Sequence, residues 1–257
     1  MSIYQHFREE ERPFVDQVIE WQEDVKLRHR DRLSDFLDPR QQEIVKIIIG
    51  HDDEVNLSFS GGSNYAERRR VRLTPPYLET TEEDFQLTLF SIDYPAKFVS
   101  LEHRDVLGAL MNLGLKREKF GDIFIRDGIA QMVTATEIAD YVEFNVQTIG
   151  KATVRLHKIP LSEHVKPVEE WEEFAATVSS LRLDVVLAQI YKLSRSKVVP
   201  YIEKGLVKVN WKIADQPAFM LAEGDYISVR KFGRAHIIAI EGRTKKEKLR
   251  LRYRRMI

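Results

Sequence analysis

Residues 182–212, RLDVVLAQIYKLSRSKVVPYIEKGLVKVNWK, carry the clearest structural pattern of the last third of the chain. Its apolar residues recur at helical spacing and predict a first helix with one buried face: Leu183, Val186, Leu187 and Ile190. Ser194 is a candidate N-cap for a second helix, which would end at Gly205. Pro200 predicts a kink in that helix, because proline removes one of its hydrogen bonds. Residues 206–210 then predict a strand.

Further strand signals follow this stretch. Gly224 and Asp225 predict a turn into a strand over residues 226–230. Residues 235–241 and 246–254 predict a hairpin around Gly242. The second arm of the hairpin alternates apolar and basic residues: Leu249, Leu251 and Tyr253 with Lys248, Arg250, Arg252 and Arg254. One face of that arm is therefore apolar and the other is wholly basic.

This pattern closely resembles the S4 domain, a small RNA-binding fold named after ribosomal protein S4. The motifs that carry the resemblance are RLD (182–184), SRSK (194–197), IEKGLVKVNWK (202–212) and GDYISVR (224–230). In that family two helices pack on a short sheet, and the exposed first turn of the second helix meets RNA. At matching positions the resemblance implies RNA contacts from Arg182, Ser194, Arg195, Ser196, Lys197, Lys208, Asn210 and Lys212. The family's usual Asn-Gly turn is Asn210-Trp211 here, and Trp211 could stack on a base, although we expect it to pack within the protein.

The charge balance supports an RNA partner for this part of the chain. The whole sequence carries 40 Lys+Arg and 40 Asp+Glu, but residues 177–257 carry 18 basic and 7 acidic side chains, a net charge of +11. A helix N-terminus beside Arg195 and Lys197 suits a phosphate group. We therefore extend the predicted RNA contacts to further basic residues: Arg230, Lys231, Arg234, Arg250, Arg252 and Arg254. A charged edge strand that faces solvent is the alternative for the hairpin.

Residues 77–162 predict a separate domain in which strands and helices alternate. The order is β-α-β-β-α-β, with strands over residues 85–92, 122–126, 129–134 and 152–159, and helices over 104–113 and 136–149. That order indicates a ferredoxin-like or RRM-like split βαβ sandwich. The central strand lacks the aromatic residues on which an RRM stacks RNA bases, and residues 81–176 carry 10 basic and 17 acidic side chains, a net charge of −7. We expect a scaffold or a protein-binding surface here.

Residues 1–76 predict helices followed by a β-hairpin. Helical periodicity covers residues 14–25, with 33–37 as a candidate extension. Asp38 and Pro39 then predict the start of a second helix. In the hairpin that follows, Arg68, Arg70 and Arg72 would share one strand face, which indicates either a second RNA contact or a solvated face. Residues 163–178 contain an acidic cluster and predict a linker to the S4 domain, residues 179–257.

The complete arrangement is an α+β protein with an N-terminal helical and hairpin segment, an RRM-like middle domain and a C-terminal S4 domain. It resembles the YlmH-like S4-domain proteins of Gram-positive bacteria. Beside the S4 region, the stretches FSGGSNYAERRRVRLTPP (59–76) and DYVEFNVQTIGKATV (140–154) carry that resemblance. The resemblance implies binding to ribosomal RNA and peptidyl-tRNA on the large ribosomal subunit, in rescue of, or quality control on, stalled complexes. Genes of this family lie among cell-division genes.

We therefore predict a non-enzymatic, cytoplasmic, monomeric RNA-binding factor without a cofactor or metal. The absence of Cys excludes a thiolate zinc site and a Cys nucleophile, and no apolar run is long enough to cross a bilayer. Two alternatives remain open. One is an RNA-modifying enzyme of the S4-containing pseudouridine synthase type, although residues 1–165 show no matching motif. The other is a division-associated scaffold whose acidic front binds a protein partner.

Overall fold

The computed structural model describes residues 3–50, 52–166 and 171–256. The chain divides into two compact units, Met1–Pro167 and Val168–Ile257, called unit 1 and unit 2 below. Both mix helices and sheets, which confirms the predicted α+β class. Short 3-10 turns occur at Ile3–His6, Glu9–Glu11, Glu83–Phe85, Arg117–Lys119 and Leu161–Glu163. Among the described residues, no helix combines the length and the apolar character that crossing a membrane requires.

Unit 1 begins with two helices and a three-stranded sheet. The elements are α1 (Arg12–Arg28), β1 (Arg32–Leu33), α2 (Pro39–Ile49), β2 (Asn56–Ser60) and β3 (Arg70–Thr74), and the strand order is β1-β3-β2. Residues 32–33 form a strand rather than a helix extension, because they pair with residues 72–73 of β3. The predicted cap of α2 is confirmed, since the Asp38 carboxylate accepts a 2.9 Å hydrogen bond from the backbone N–H of Gln41.

The second half of unit 1 has the predicted split βαβ topology. Its elements are β4 (Leu87–Asp93), α3 (His103–Met111), β5 (Phe120–Arg126), β6 (Ile129–Ala135), α4 (Thr136–Asn145), β7 (Thr148–Ile149), β8 (Ala152–Thr153) and β9 (Arg155–Ile159). The antiparallel sheet has the order β5-β6-β4-β9. We predicted that helix α4 would extend to residue 149, but it ends at Asn145. Residues 148–149 pair instead with 152–153 in a hairpin, whose turn is allowed by Gly150 at φ +58°.

Unit 2 packs two helices on one face of a six-stranded antiparallel sheet. Its elements are β10 (Trp171–Val178), α5 (Leu183–Ile190), α6 (Arg195–Glu203), β11 (Val207–Val209), β12 (Lys212–Ile213), β13 (Tyr226–Val229), β14 (Gly233–Arg243) and β15 (Leu249–Met256). The strand order is β10-β15-β14-β13-β11-β12. Leu187 and Ile202 of the helices share one buried core with Ile227, Ile237 and Leu251 of the sheet. The predicted helix pair, strands and C-terminal hairpin are confirmed.

The linker that we predicted over residues 163–178 is wrong in its second half. Residues 167–170 of it lie outside the described residues, but residues 171–178 form β10 and pair along their whole length with β15. Glu172 and Glu173 lie opposite Arg255 and Arg254 in that register. The acidic composition concealed a strand whose negative charges face a basic neighbour.

The predicted second RNA contact is also wrong, because the structure buries all three of its arginines. Arg68, Arg70 and Arg72 are only 7%, 3% and 8% exposed. Arg68 donates to the carbonyl oxygens of Phe36 (2.8 Å) and Phe120 (3.2 Å). Arg70 donates to the Ser34 carbonyl at 2.7 Å. The guanidinium groups of Arg68 and Arg70 satisfy backbone oxygens inside unit 1, and that of Arg72 pairs with the carboxylates of Asp31 and Asp84. All three therefore stabilise its fold instead of meeting a ligand.

Asp122 of β5 joins the two halves of unit 1. Its carboxylate accepts hydrogen bonds from the backbone amides of Glu67 (2.7 Å) and Arg68 (3.1 Å). Burial is the largest cause that raises the pKa of Asp122 to about 6, and the nearby Glu67 carboxylate adds to the increase. The side chain therefore holds the end of the β2–β3 hairpin against the four-stranded sheet.

We expect Asp122→Ala to lower the free energy of unfolding by about 1–3 kcal/mol, because it leaves two partly buried backbone N–H groups without an acceptor. The matched control is Asp140→Ala, which removes a carboxylate that is 94% exposed and should change stability by less than about 1 kcal/mol. Urea unfolding followed by circular dichroism measures both. Equal effects of the two substitutions would contradict the role assigned to Asp122.

Candidate nucleic-acid interface

The first turn of α6 presents polar side chains to solvent. Ser194 has extended backbone angles (φ −71°, ψ 149°), as an N-cap residue does, and its hydroxyl shares a 2.9 Å hydrogen bond with that of Ser196. The side chains of Arg195 and Lys197 are exposed beside them. The positive end of the helix dipole, two hydroxyl groups and two cations thus meet at one place, an arrangement that attracts a phosphate group.

Asp184 of α5 positions the arginines of this surface. Its side chain is only 1% exposed, whereas those of Arg182 and Arg195 are 40% and 58% exposed. Arg182 donates to the two carboxylate oxygens at 3.0 and 3.1 Å. Arg195 donates through Nε to Oδ2 at 3.2 Å and through Nη2 to the same oxygen. One buried carboxylate therefore fixes two guanidinium groups whose outer edges face solvent.

The charge of Asp184 is maintained by these partners. Burial alone would raise its pKa, but the hydrogen bonds from Arg182 and Arg195 outweigh that effect, and the pKa of Asp184 lies below its ordinary value. The carboxylate stays ionised at neutral pH, so both arginines remain anchored. We call the surface made by Arg182, Ser194, Arg195, Ser196 and Lys197 the helix surface.

Asn210, which we predicted as an RNA contact, has a structural role instead. Its amide Nδ2 donates to Asp225 Oδ1 at 2.9 Å, and its Oδ1 accepts from the Tyr226 backbone amide at 2.9 Å. Asn210 and Trp211 adopt φ angles of +47° and +65°, which form the two-residue turn between β11 and β12. The Asn210 side chain is therefore committed to holding this turn against β13.

The remaining predicted contacts lie on the sheet or at its edges. Lys212 and the turn residues Arg230 and Lys231 are exposed. Alternation along the strands sends the other basic residues away from the helices. This side of the sheet is called the outer face below and is made by Trp171, Lys208, Tyr226, Ser228, Arg234, His236, Arg250, Arg252 and Arg254. In its register Lys208 lies opposite Ser228, which lies opposite Arg234.

A row of aromatic and cationic side chains crosses the outer face. The rings of Trp211 and Tyr226 have centroids 5.4 Å apart, and Tyr226 stacks on His236 at 3.9 Å with an interplanar angle of 12°. Arg254 donates to the Tyr226 hydroxyl at 3.2 Å and lies over the Trp171 ring at 4.9 Å. We call these five side chains the aromatic row. The prediction that Trp211 packs within the protein agrees with its contact to Tyr226.

Sequence reasoning missed the positioning role of Asp184 and the participation of Trp171, Tyr226 and His236. A signal for the last two exists, since Tyr226 and Ser228, like Arg234 and His236, alternate with apolar residues along their strands. Trp171 was concealed within a stretch interpreted as a linker. Among the residues that the structure describes, no group of three or more His, Asp or Glu side chains could hold a metal ion.

Comparisons with known proteins agree with this geometry. Residues 181–227 match the S4 domain, residues 80–163 match a domain described as the putative RNA-binding domain in YlmH, and residues 10–78 match the domain described as YlmH, N-terminal. The fold and the helix surface thus define an S4-type RNA-binding protein.

Similarity over the full length then identifies the family. The chain is 47% identical over 254 residues to the ribosome-associated protein quality control protein P2 of Bacillus subtilis (strain 168), covering 99% of this chain and 98% of the relative. A solved structure, the cell division protein ylmH from Streptococcus pneumoniae, is 33% identical with a TM-score of 0.56, covering 64% of this chain and 100% of that one. This chain belongs to the YlmH family.

Removing the central carboxylate should release the arginines of the helix surface. We expect Asp184→Asn to weaken binding of structured RNA roughly fivefold, which corresponds to about 1 kcal/mol for a partly exposed ion pair. In a double-mutant cycle, Arg195→Ala should cost less in the Asp184→Asn background than alone, because the two groups act as one unit. Filter binding measures the affinities, with the exposed Asp215→Asn as the control. Strictly additive losses would contradict the positioning role.

His236 should make the C-terminal sheet sensitive to acid. Burial lowers the pKa of His236 to about 4, and the nearby Arg254 guanidinium acts in the same direction. An unfolded chain takes up a proton near pH 6.5, whereas the folded chain does not until about pH 4, so stability falls as the pH decreases across that window. As the pH falls from 7 to 4.5, the His236→Phe variant should become progressively more stable than the wild type, because it has no imidazole to protonate in the unfolded chain. Hydrogen exchange of residues 226–256 measures this difference, and a difference independent of pH would contradict it.

Proposed function

We propose that this protein is a non-enzymatic RNA-binding factor of ribosome-associated quality control, which contacts ribosomal RNA and peptidyl-tRNA on the large ribosomal subunit. The observation that carries the proposal is the helix surface, where Asp184 holds Arg182 and Arg195 beside the N-terminus of α6. The name of the Bacillus subtilis relative, which this chain matches over 99% of its length, supports the ribosomal process. Its site of action is the cytoplasm, where it works as a monomer.

The chemistry of the helix surface favours structured RNA. Cations and helix dipoles bind phosphate groups, which fix orientation but carry little sequence information. Folded RNA is recognised mainly through its shape and backbone, which is the form that RNA has in the ribosome and in tRNA. The contacts that we propose here are Arg182, Ser194, Arg195, Ser196 and Lys197, with Lys212, Arg230 and Lys231 on the turns and edge of the same unit. Lys208 lies on the outer face, on the other side of the sheet.

A second role belongs to unit 1, for which we propose a protein partner. Helix α4 leaves Tyr141 and Phe144 48% and 77% exposed next to Asp140, and Phe98 is 88% exposed. Acidic and aromatic side chains together suit a partner with basic and apolar groups. The similar Streptococcus pneumoniae structure is named as a cell division protein, which supports a division-associated partner for this unit.

The proposed function predicts association with large subunits that weakens when the helix surface loses charge. Arg195→Ala combined with Lys197→Ala should reduce co-sedimentation with large subunits, and each lost phosphate contact should flatten the slope of log affinity against log salt by ~0.7–0.9. Lys97→Ala combined with Lys151→Ala is the control, because it removes two exposed lysines from unit 1. Association that is the same for both double variants would refute the site. Absence of association by the wild type would refute the ribosomal role.

A further inference from the structure

We propose that the outer face of the six-stranded sheet is a second RNA surface and that it binds an unpaired RNA segment. The bases of that segment stack at the tryptophan ends of the aromatic row, and its phosphates lie on the neighbouring arginines. The inference deepens the proposed function, since it rests on the chain being an RNA-binding factor. The inference adds a second RNA contact, on the outer face, and specifies that the RNA bound there is unpaired.

The outer face is separated from the helix surface by the core of unit 2. Ile227, Ala235 and Ile237 are at most 1% exposed and pack with the residues of α5 and α6. Their strand neighbours Tyr226, Arg234 and His236 therefore project from the opposite side of the sheet. A phosphate group bound at the first turn of α6 leaves the outer face available for a different stretch of RNA.

The electrostatic character of the outer face matches a nucleic-acid backbone. Its five basic side chains are Lys208, Arg234, Arg250, Arg252 and Arg254. The acidic side chains beside them include Glu173, opposite Arg254 in the register, and Glu241, 3.3 Å from Arg252. Lys208 and Arg250 are exposed. Cations are thus in excess on this face, with Arg250, Arg252 and Arg254 along β15, as in proteins that bind a single-stranded backbone.

Aromatic rings make the outer face more than a phosphate-binding surface. The aromatic row begins at Trp211 and ends at Trp171, so a tryptophan closes it at each end. A base that stacks on either indole extends a row in which Tyr226 and His236 are already stacked and Trp211 makes a tilted contact with Tyr226. Stacking on an aromatic ring requires a base that is free of its neighbours in a helix, whereas an A-form duplex would reach this face only through its phosphates and riboses.

The centre of the aromatic row has hydrogen-bonding groups that are not used. Within the described part of the chain, both ring nitrogens of His236 and the Nε of Arg254 are buried and have no hydrogen-bond partner. Leaving such groups unpaired costs free energy. Because these atoms are buried, RNA contacts the row at its half-buried tryptophan ends and not at its centre.

Tryptophan fluorescence can detect this contact in the full-length protein. The chain has three Trp, of which Trp21 is 5% exposed in the core of unit 1, so quenching by RNA would report on Trp171 and Trp211. The probes are a ten-nucleotide oligouridine and a ten-base-pair RNA duplex. We expect the oligouridine to quench the fluorescence and the duplex to bind with little quenching.

Two matched variants separate stacking from simple packing. Trp171→Leu combined with Trp211→Leu keeps apolar bulk but removes the rings, and in filter binding it should weaken oligouridine binding at least about fivefold, with duplex binding unchanged. Trp171→Phe combined with Trp211→Phe keeps a ring at each end and should retain most of the affinity. Lys97→Ala combined with Lys151→Ala should leave oligouridine binding within about twofold of wild type, because it removes two exposed lysines from unit 1.

The outcomes distinguish this proposal from the function on which it rests. Oligouridine binding that is equal in the wild type and the leucine variant would overturn the proposal, even if large-subunit association persists. The proposal would also be overturned if the leucine variant lost affinity equally for oligouridine and duplex. The same holds if the phenylalanine variant lost as much affinity as the leucine variant. Neither result follows from stacking. If the wild type does not associate with large subunits but its oligouridine binding depends on Trp171 and Trp211 as predicted, the ribosomal role is refuted and the second RNA surface is supported.

Discussion

Alternation of side chains along the six strands of unit 2 determines what each of its faces can do. One residue in two must enter the core beneath α5 and α6, where Ile227, Ile237 and Leu251 lie. The residues between them have to face the other way. Arg250, Arg252 and Arg254 of β15 and the aromatic residues of β13 and β14 are therefore brought to a common face by the requirement to bury an apolar core. The helices present a separate polar surface.

The helix surface depends on a single buried carboxylate. Asp184 is inaccessible to solvent, yet it sets the position of two guanidinium groups that belong to different parts of the chain. Because Arg182 precedes α5 and Arg195 begins α6, the same interaction also fixes how the two helices start relative to each other. These ion pairs both position the helix surface and stabilise the fold, so the loss of Asp184 would affect RNA binding and stability.

Local patterns in the sequence were sufficient for most of the fold. Capping at Asp38, the β-α-β-β-α-β order and the helix pair of the S4 domain all follow from short-range periodicity and turn chemistry. The failures arose where a partner distant in sequence decides the outcome. Residues 171–178 are a strand only because β15 pairs with them, and Arg70 is buried only because distant carbonyl oxygens receive its hydrogen bonds. The same distinction applies to the candidate site. Its cations could be predicted from the local sequence, whereas the role of Asp184 and the aromatic row could be recognised only in the folded structure.

The pairing of β10 with β15 also constrains the order in which unit 2 is built during translation. Residues 179–248 must leave the ribosome before Trp171–Val178 can meet its partner, so β10 spends that interval as an unpaired strand among nascent elements. An unpaired strand edge invites pairing with another chain. Glu172 and Glu173, which balance arginines in the finished sheet, carry like charges on every copy of the strand and oppose its association with itself until β15 has been made.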